Sequence, residues 1–125
     1  MTVLDSSAWV EILVDGSQAD EFERRLRQAA VVLVPAIVVY EVYKFVRRKG
    51  SEDEADLAAA RLRAHRVVPL DEGLALEAAD YSLQHKLSMA DAIIYATARA
   101  HDATLVTSDE HFAELPGVDY VPPGP

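Results

Sequence analysis

Cysteine is missing from all 125 residues of this chain. Its absence removes disulfides, thiolate metal sites and cysteine nucleophiles from consideration, and it suits a reducing compartment, so a cytoplasmic location is the expectation. Long apolar runs are missing as well. Met1 leads straight into Thr2-Val3-Leu4-Asp5 with no basic leader, and no stretch of about 18 uncharged apolar residues follows, so neither export nor membrane insertion is expected. Positive charge is scarce: 12 Lys and Arg stand against 21 Asp and Glu, a net charge of −9. Such a surface repels phosphate over most of its extent, so contact with a polyanion must be local and helped by bound cations. Proline and glycine gather in the closing Pro122-Pro123-Gly124-Pro125. Residues 122–125 are therefore expected to be a flexible tail after a single domain over residues 1–121.

Half of the residues are hydrophobic, enough for one domain to bury its own core. Five β-rich runs punctuate the chain: Thr2 to Asp5, Val31 to Val34, Arg66 to Leu70, Ala103 to Thr107 and Val118 to Val121. Helical patterns lie between them. Ser7 is placed to cap a short helix through Leu13 that ends at Asp15-Gly16, and Ser17 to Ala30 reads as a second, charged helix. Pro35 suits a first helical turn, and Ala36 to Lys49 carries the 3.6-residue apolar recurrence of a packed helix ending at Gly50. Ser51 and Glu54 have capping-box spacing, while Asp71 and Ser88 can cap two further helices. The order β-α-α-β-α-α-β-α-α-β-α-β predicts a three-layer α/β/α sandwich with a mostly parallel central sheet of four to five strands.

In open parallel sheets, ligands bind beyond the carboxyl ends of the strands. Asp5 closes the first strand and Asp109 follows the fourth. Asp91 falls in the first turn of the helix opened by Ser88, and Glu41 lies about a turn and a half into the helix after the second strand, leaning back toward its N-terminus. Each has a plainer explanation. Asp5 and Asp109 can be N-caps, Asp91 can complete a capping arrangement with Ser88, and Glu41 can pair with Lys44. Taken together, four carboxylates at one edge repel one another by roughly 4 kcal/mol per pair at 4 Å and an effective dielectric of about 20, so protons or cations must compensate. An oxygen-only donor set favours Mg²⁺ or Mn²⁺ over zinc, and such ions suit phosphodiester hydrolysis.

Val3-Leu4-Asp5-Ser6-Ser7 resembles the opening motif of the PIN-domain family. Val34-Pro35-Ala36 leading to Tyr40-Glu41-Val42-Tyr43-Lys44 resembles the second motif, and Ser88-Met89-Ala90-Asp91-Ala92 onward to Ala98 the third. Leu105-Val106-Thr107-Ser108-Asp109 with Phe112 resembles the fourth. The four stand in order across nearly the whole chain, whose length is similar to that of VapC-type toxins of type II toxin-antitoxin modules. The resemblance implies a PIN-like fold and a Mg²⁺- or Mn²⁺-dependent endoribonuclease that cuts single-stranded RNA. It implies Asp5, Glu41, Asp91 and Asp109 as catalytic and metal-holding residues, with Asp5 and Asp91 foremost. It also implies a cognate antitoxin partner and a homodimer. Ser6, Thr107 and Ser108 adjoin the acidic positions and are expected to support them, with turn and cap chemistry as the alternative.

Two rivals share the pattern: a PIN-type nuclease of RNA processing or structured DNA ends that works without an antitoxin, and a catalytically silent binding module of the same fold. A phosphoaspartyl enzyme using Asp5 is disfavoured, because Asp5-Ser6-Ser7 lacks a second aspartate nearby. His65, His85, His101 and His111 show no ligand spacing and are assigned to surface or packing. The basic groups Arg24-Arg25-Arg27 and Arg47-Arg48-Lys49 are read as solvated helix faces before phosphate contacts.

Overall fold

Residues 1–124 are described by the computed structural model; Pro125, the last residue of the expected tail, lies outside the described residues. The elements run β1 (Thr2–Leu4), α1 (Ser6–Leu13), α2 (Ala19–Gln28), β2 (Val32–Pro35), α3 (Ala36–Lys49), α4 (Glu52–Arg63), β3 (Arg66–Val68), α5 (Glu72–His85), α6 (Met89–Ala100), β4 (Thr104–Thr107) and β5 (Val118–Tyr120). A single 3-10 turn, Glu110–Phe112, replaces the helix expected between β4 and β5. The expected order of strands and helices otherwise holds. The start of α1 differs in detail: Asp5, not Ser7, is its N-cap and accepts from the Ala8 N–H at 3.0 Å.

Five strands form one sheet in the order β3-β2-β1-β4-β5, with every neighbouring pair parallel. Register places Leu4 opposite Val106 and Pro35 opposite Val68, so the carboxyl ends of β1, β2, β3 and β4 share one edge. From β1 the chain steps one way to β2 and β3, and then it crosses back to β4 and steps the other way to β5. Right-handed crossovers put the helices of these two halves on opposite faces of the sheet. A topological switch point therefore falls between β1 and β4, where a parallel sheet opens a crevice for ligands.

Central strands covered on both faces need apolar residues throughout, and Val3, Leu4, Leu33, Val34, Leu105 and Val106 are all buried. Trp9, Phe22, Tyr95 and Phe112 add the largest buried side chains. The 3-10 turn is pinned to this core. Phe112 stacks on Tyr95, and the Tyr95 hydroxyl donates to the Pro116 carbonyl at 2.8 Å. Ser51 and Asp71 cap α4 and α5 through the Glu54 and Leu74 amides, as their spacing predicts.

Candidate active site

Asp5 sits at the end of β1, only 3% exposed, between β1 and β4. One carboxylate oxygen accepts from the Ala8 amide, and the other accepts from the Thr107 hydroxyl at 2.6 Å, while Ser7 donates to both. Thr107 in turn accepts from the Asp109 N–H at 2.9 Å. One hydroxyl at the end of β4 thus ties Asp5 to the backbone that carries Asp109. The Asp5 carboxyl is pushed up from its ordinary 3.8 to about 6. Burial is the largest cause, opposed by the Thr107, Ala8 and Ser7 hydrogen bonds and reinforced by the charge of Asp109.

Asp91 lies in the first turn of α6, where Ser88 caps the helix by accepting from the Asp91 amide at 3.3 Å. Its carboxyl is raised as well, chiefly by burial and next by the charge of Asp109, with Glu41 adding and Ser88 and His111 opposing. Glu41 reaches the same edge from α3. Its partner is not Lys44: the Ser6 hydroxyl donates to Glu41 Oε1 at 2.5 Å, whereas Lys44 donates to the Tyr40 hydroxyl and lies over that ring. Asp109 caps the 3-10 turn by accepting from the His111 amide at 2.9 Å. All four expected acidic residues are therefore brought to one edge, and three also serve the caps proposed as their plainer explanation. The two roles coexist because the Asp5 and Asp109 caps occupy only some of a carboxylate's lone-pair sites, while Asp91 serves its cap through its backbone amide.

Of the supporting residues, Ser6 and Thr107 touch the carboxylates. Ser108 does not: its hydroxyl donates to Gln18 Oε1 at 3.3 Å. Arg24 and Arg25 are occupied by Glu21, and Arg25 also by Asp119, so these two of the three arginines are spent on ion pairs. On α3, by contrast, Lys44 and Arg48 line a cleft together with Ser6, Ser7 and Glu41.

His111 is exposed, as a surface role expects, but it stands beside the acidic residues. Its Nδ1 lies 3.0 Å from Asp109 Oδ1, and Asp91, Asp109 and His111 bring ligand atoms within 4.8 Å of one another. Sequence offered one weak signal, the spacing Asp109-x-His111. His65 and His85 do pack against aromatic rings, and His101 contacts the Thr97 carbonyl.

Among the described residues, no lysine or arginine forms an ion pair with Asp5, Glu41, Asp91 or Asp109. Asp5 and Asp91 hold their protons more tightly than ordinary aspartates, chiefly because burial disfavours the charged form and further because Asp109 is negative beside them. A donor set of several carboxylate oxygens and one imidazole nitrogen fits a divalent cation.

Fold and site together define a parallel α/β sandwich with a carboxylate cluster at its switch point. The PIN domain profile matches residues 2–118, and the chain belongs to the PIN-domain family. No curated protein matches its sequence. Among solved structures, a toxin-antitoxin complex from Klebsiella pneumoniae superposes with TM-score 0.80 at 24% identity, covering 95% of this chain and 96% of that one. VapC20 of Mycobacterium tuberculosis, described as a sarcin-ricin loop cleaving toxin, gives TM-score 0.79 at 21% identity over 98% and 100%. FitAcB from Neisseria gonorrhoeae gives TM-score 0.70 at 24% identity, with 98% of each chain covered. At these identities the likeness establishes a shared fold.

Proposed function

We propose that this protein is a divalent-metal-dependent endoribonuclease that hydrolyses single-stranded RNA and serves as the toxin of a toxin-antitoxin module. The observation that carries the reading is the convergence of Asp5, Glu41, Asp91 and Asp109 at the switch point with no lysine or arginine among the described residues paired to them. In this reading Asp5 and Asp91 hold Mg²⁺ or Mn²⁺ foremost, with Asp109 and Glu41 completing the site. When bound, such an ion offsets phosphoryl charge and makes water a stronger nucleophile at neutral pH. Thr107 and Ser6 fix the Asp5 and Glu41 carboxylates by donating to them, leaving other lone pairs free. Lys44 and Arg48 supply local positive charge beside the acidic edge, where a chain of net charge −9 otherwise repels RNA.

The toxin assignment draws support from the named complexes of similar fold. An open, largely apolar cleft bordered by α1, α3 and α4 and lined by Leu13, Val14, Phe45 and Leu57 offers an antitoxin segment a place to bury its own apolar residues. Tyr40, Leu83 and Met89 are exposed on α3, α5 and α6, which suits a homodimer. No helix among the described residues is long and apolar enough to cross a membrane, and a cytoplasmic role fits RNA as substrate.

The test is induced expression in a bacterial host with and without the small protein encoded beside it. Growth arrest with fragmented RNA, relieved by that neighbour and absent with Asp91→Asn, is the expected result. RNA cleavage without growth arrest or inhibition by a neighbour would instead assign a processing nuclease. A folded protein that neither cleaves RNA nor binds a divalent ion would leave a silent binding module.

A further inference from the structure

Most of the cluster is hard oxygen, and a site of that kind treats Mg²⁺ and Mn²⁺ much alike. His111 changes the donor set. Its ring stands on the 3-10 turn, held there because Phe112 is buried against Tyr95 and because Asp109 caps the turn through the His111 amide. Nδ1 lies 3.0 Å from Asp109 Oδ1, the spacing that two neighbouring donors take around an octahedral ion holding each at about 2.1 Å. A carboxylate oxygen of Asp91 lies within 4.8 Å of both, against roughly 4.2 Å between opposite donors on such an ion, so a small side-chain rotation brings all three onto one ion. The His111 side chain is 71% exposed, so no core packing accounts for its placement beside the two aspartates.

We infer that His111 is a metal ligand of this site, and that its imidazole nitrogen tilts the site toward transition-metal ions over Mg²⁺. Imidazole is a softer donor than carboxylate: it adds little for Mg²⁺, which prefers oxygen, and more for Mn²⁺ and most for later ions such as Co²⁺. A simple counter-charge to Asp109 would behave in the opposite way. It would compete with every incoming cation, so removing it would tighten them all.

This inference rests on the cluster binding a divalent ion, and the experiment separates the two claims. Calorimetric titration of Mg²⁺, Mn²⁺ and Co²⁺ into the full chain would be run on wild type, His111→Ala and Asp91→Asn, with the visible absorption of the Co²⁺ forms recorded. Because His111 is exposed, the alanine variant is expected to fold normally. Wild type should prefer Co²⁺ to Mg²⁺. His111→Ala should lose about tenfold in Co²⁺ affinity and less for Mn²⁺, keep its Mg²⁺ affinity within about twofold, and shift the Co²⁺ absorption band. Asp91→Asn should lose all three ions. Equal loss for every ion, a gain on removing His111, or Co²⁺ binding that survives Asp91→Asn would overturn the assignment while the oxygen site stands. A wild type that binds none of the ions would overturn the metal reading and this inference together.

Discussion

Asp5 shows how one residue carries a cost for its position. Its folded-state carboxyl titrates at about 6 against an ordinary 3.8, so between about pH 4 and pH 6 the folded protein binds more protons than the unfolded chain. Stability present below that window is lost as pH rises through it, and the penalty approaches about 3 kcal/mol at neutral pH without metal. Asp5→Asn should therefore raise the denaturation midpoint in EDTA at pH 7.5, and the gain should shrink toward pH 4. Chemical denaturation of both proteins at the two pH values checks this; a gain that grows on acidification would contradict it. Thr107→Val should act in the other direction. It removes the hydroxyl that donates to Asp5 and accepts from the Asp109 amide, at a cost of about 2 kcal/mol at neutral pH.

At the scale of elements, most helix caps were readable in sequence because they are local, whereas strand ends fell a residue or two from where they were expected. Gly50 stops α3, Ser51, Asp71 and Ser88 open their helices, and alternating strands and helices imply the parallel sheet. Long-range partners were not readable. Ser6 and Glu41 are 35 positions apart and Thr107 and Asp5 102 apart, so neither bond has a local signature. The nearness of His111 to Asp91 was unreadable for a related reason: one stands on the 3-10 turn after β4 and the other in the first turn of α6, brought together only by the fold. The buried anchor of that turn is Phe112. Phe112→Ala should cost about 3–5 kcal/mol and weaken divalent-ion affinity by loosening Asp109 and His111. Ser51→Ala, which removes the cap of α4 away from the acidic edge, should cost about 1 kcal/mol and leave ion affinity unchanged. Urea unfolding combined with metal titration separates the two variants; equal retention of metal affinity would show that the turn does not position the site.

For the whole molecule, the −9 charge and the bare carboxylate edge make ion binding and folding stability linked properties. An ion at 100 times its dissociation constant adds about 2.7 kcal/mol to wild type and nothing to a variant that cannot hold it. Thermal unfolding with and without Mn²⁺ should show this difference between wild type and Asp91→Asn. RNA affinity should also fall with salt, but with a shallow slope, because few basic groups border the site.

The central claim is that the acidic cluster holds an ion that enables water to cut RNA. The most direct measurement is end-group analysis of a labelled single-stranded RNA after incubation with purified protein in Mg²⁺, Mn²⁺ or EDTA, alongside Asp5→Asn and Asp91→Asn. Attack by water leaves a simple phosphate monoester at the cut, whereas attack by the RNA's own 2′-hydroxyl leaves a cyclic phosphate. Wild type is expected to cleave only with a divalent ion and to leave monoester ends throughout, and neither variant is expected to cleave. Cutting in EDTA, cyclic phosphate ends, or undiminished cleavage by the folded variants would contradict it.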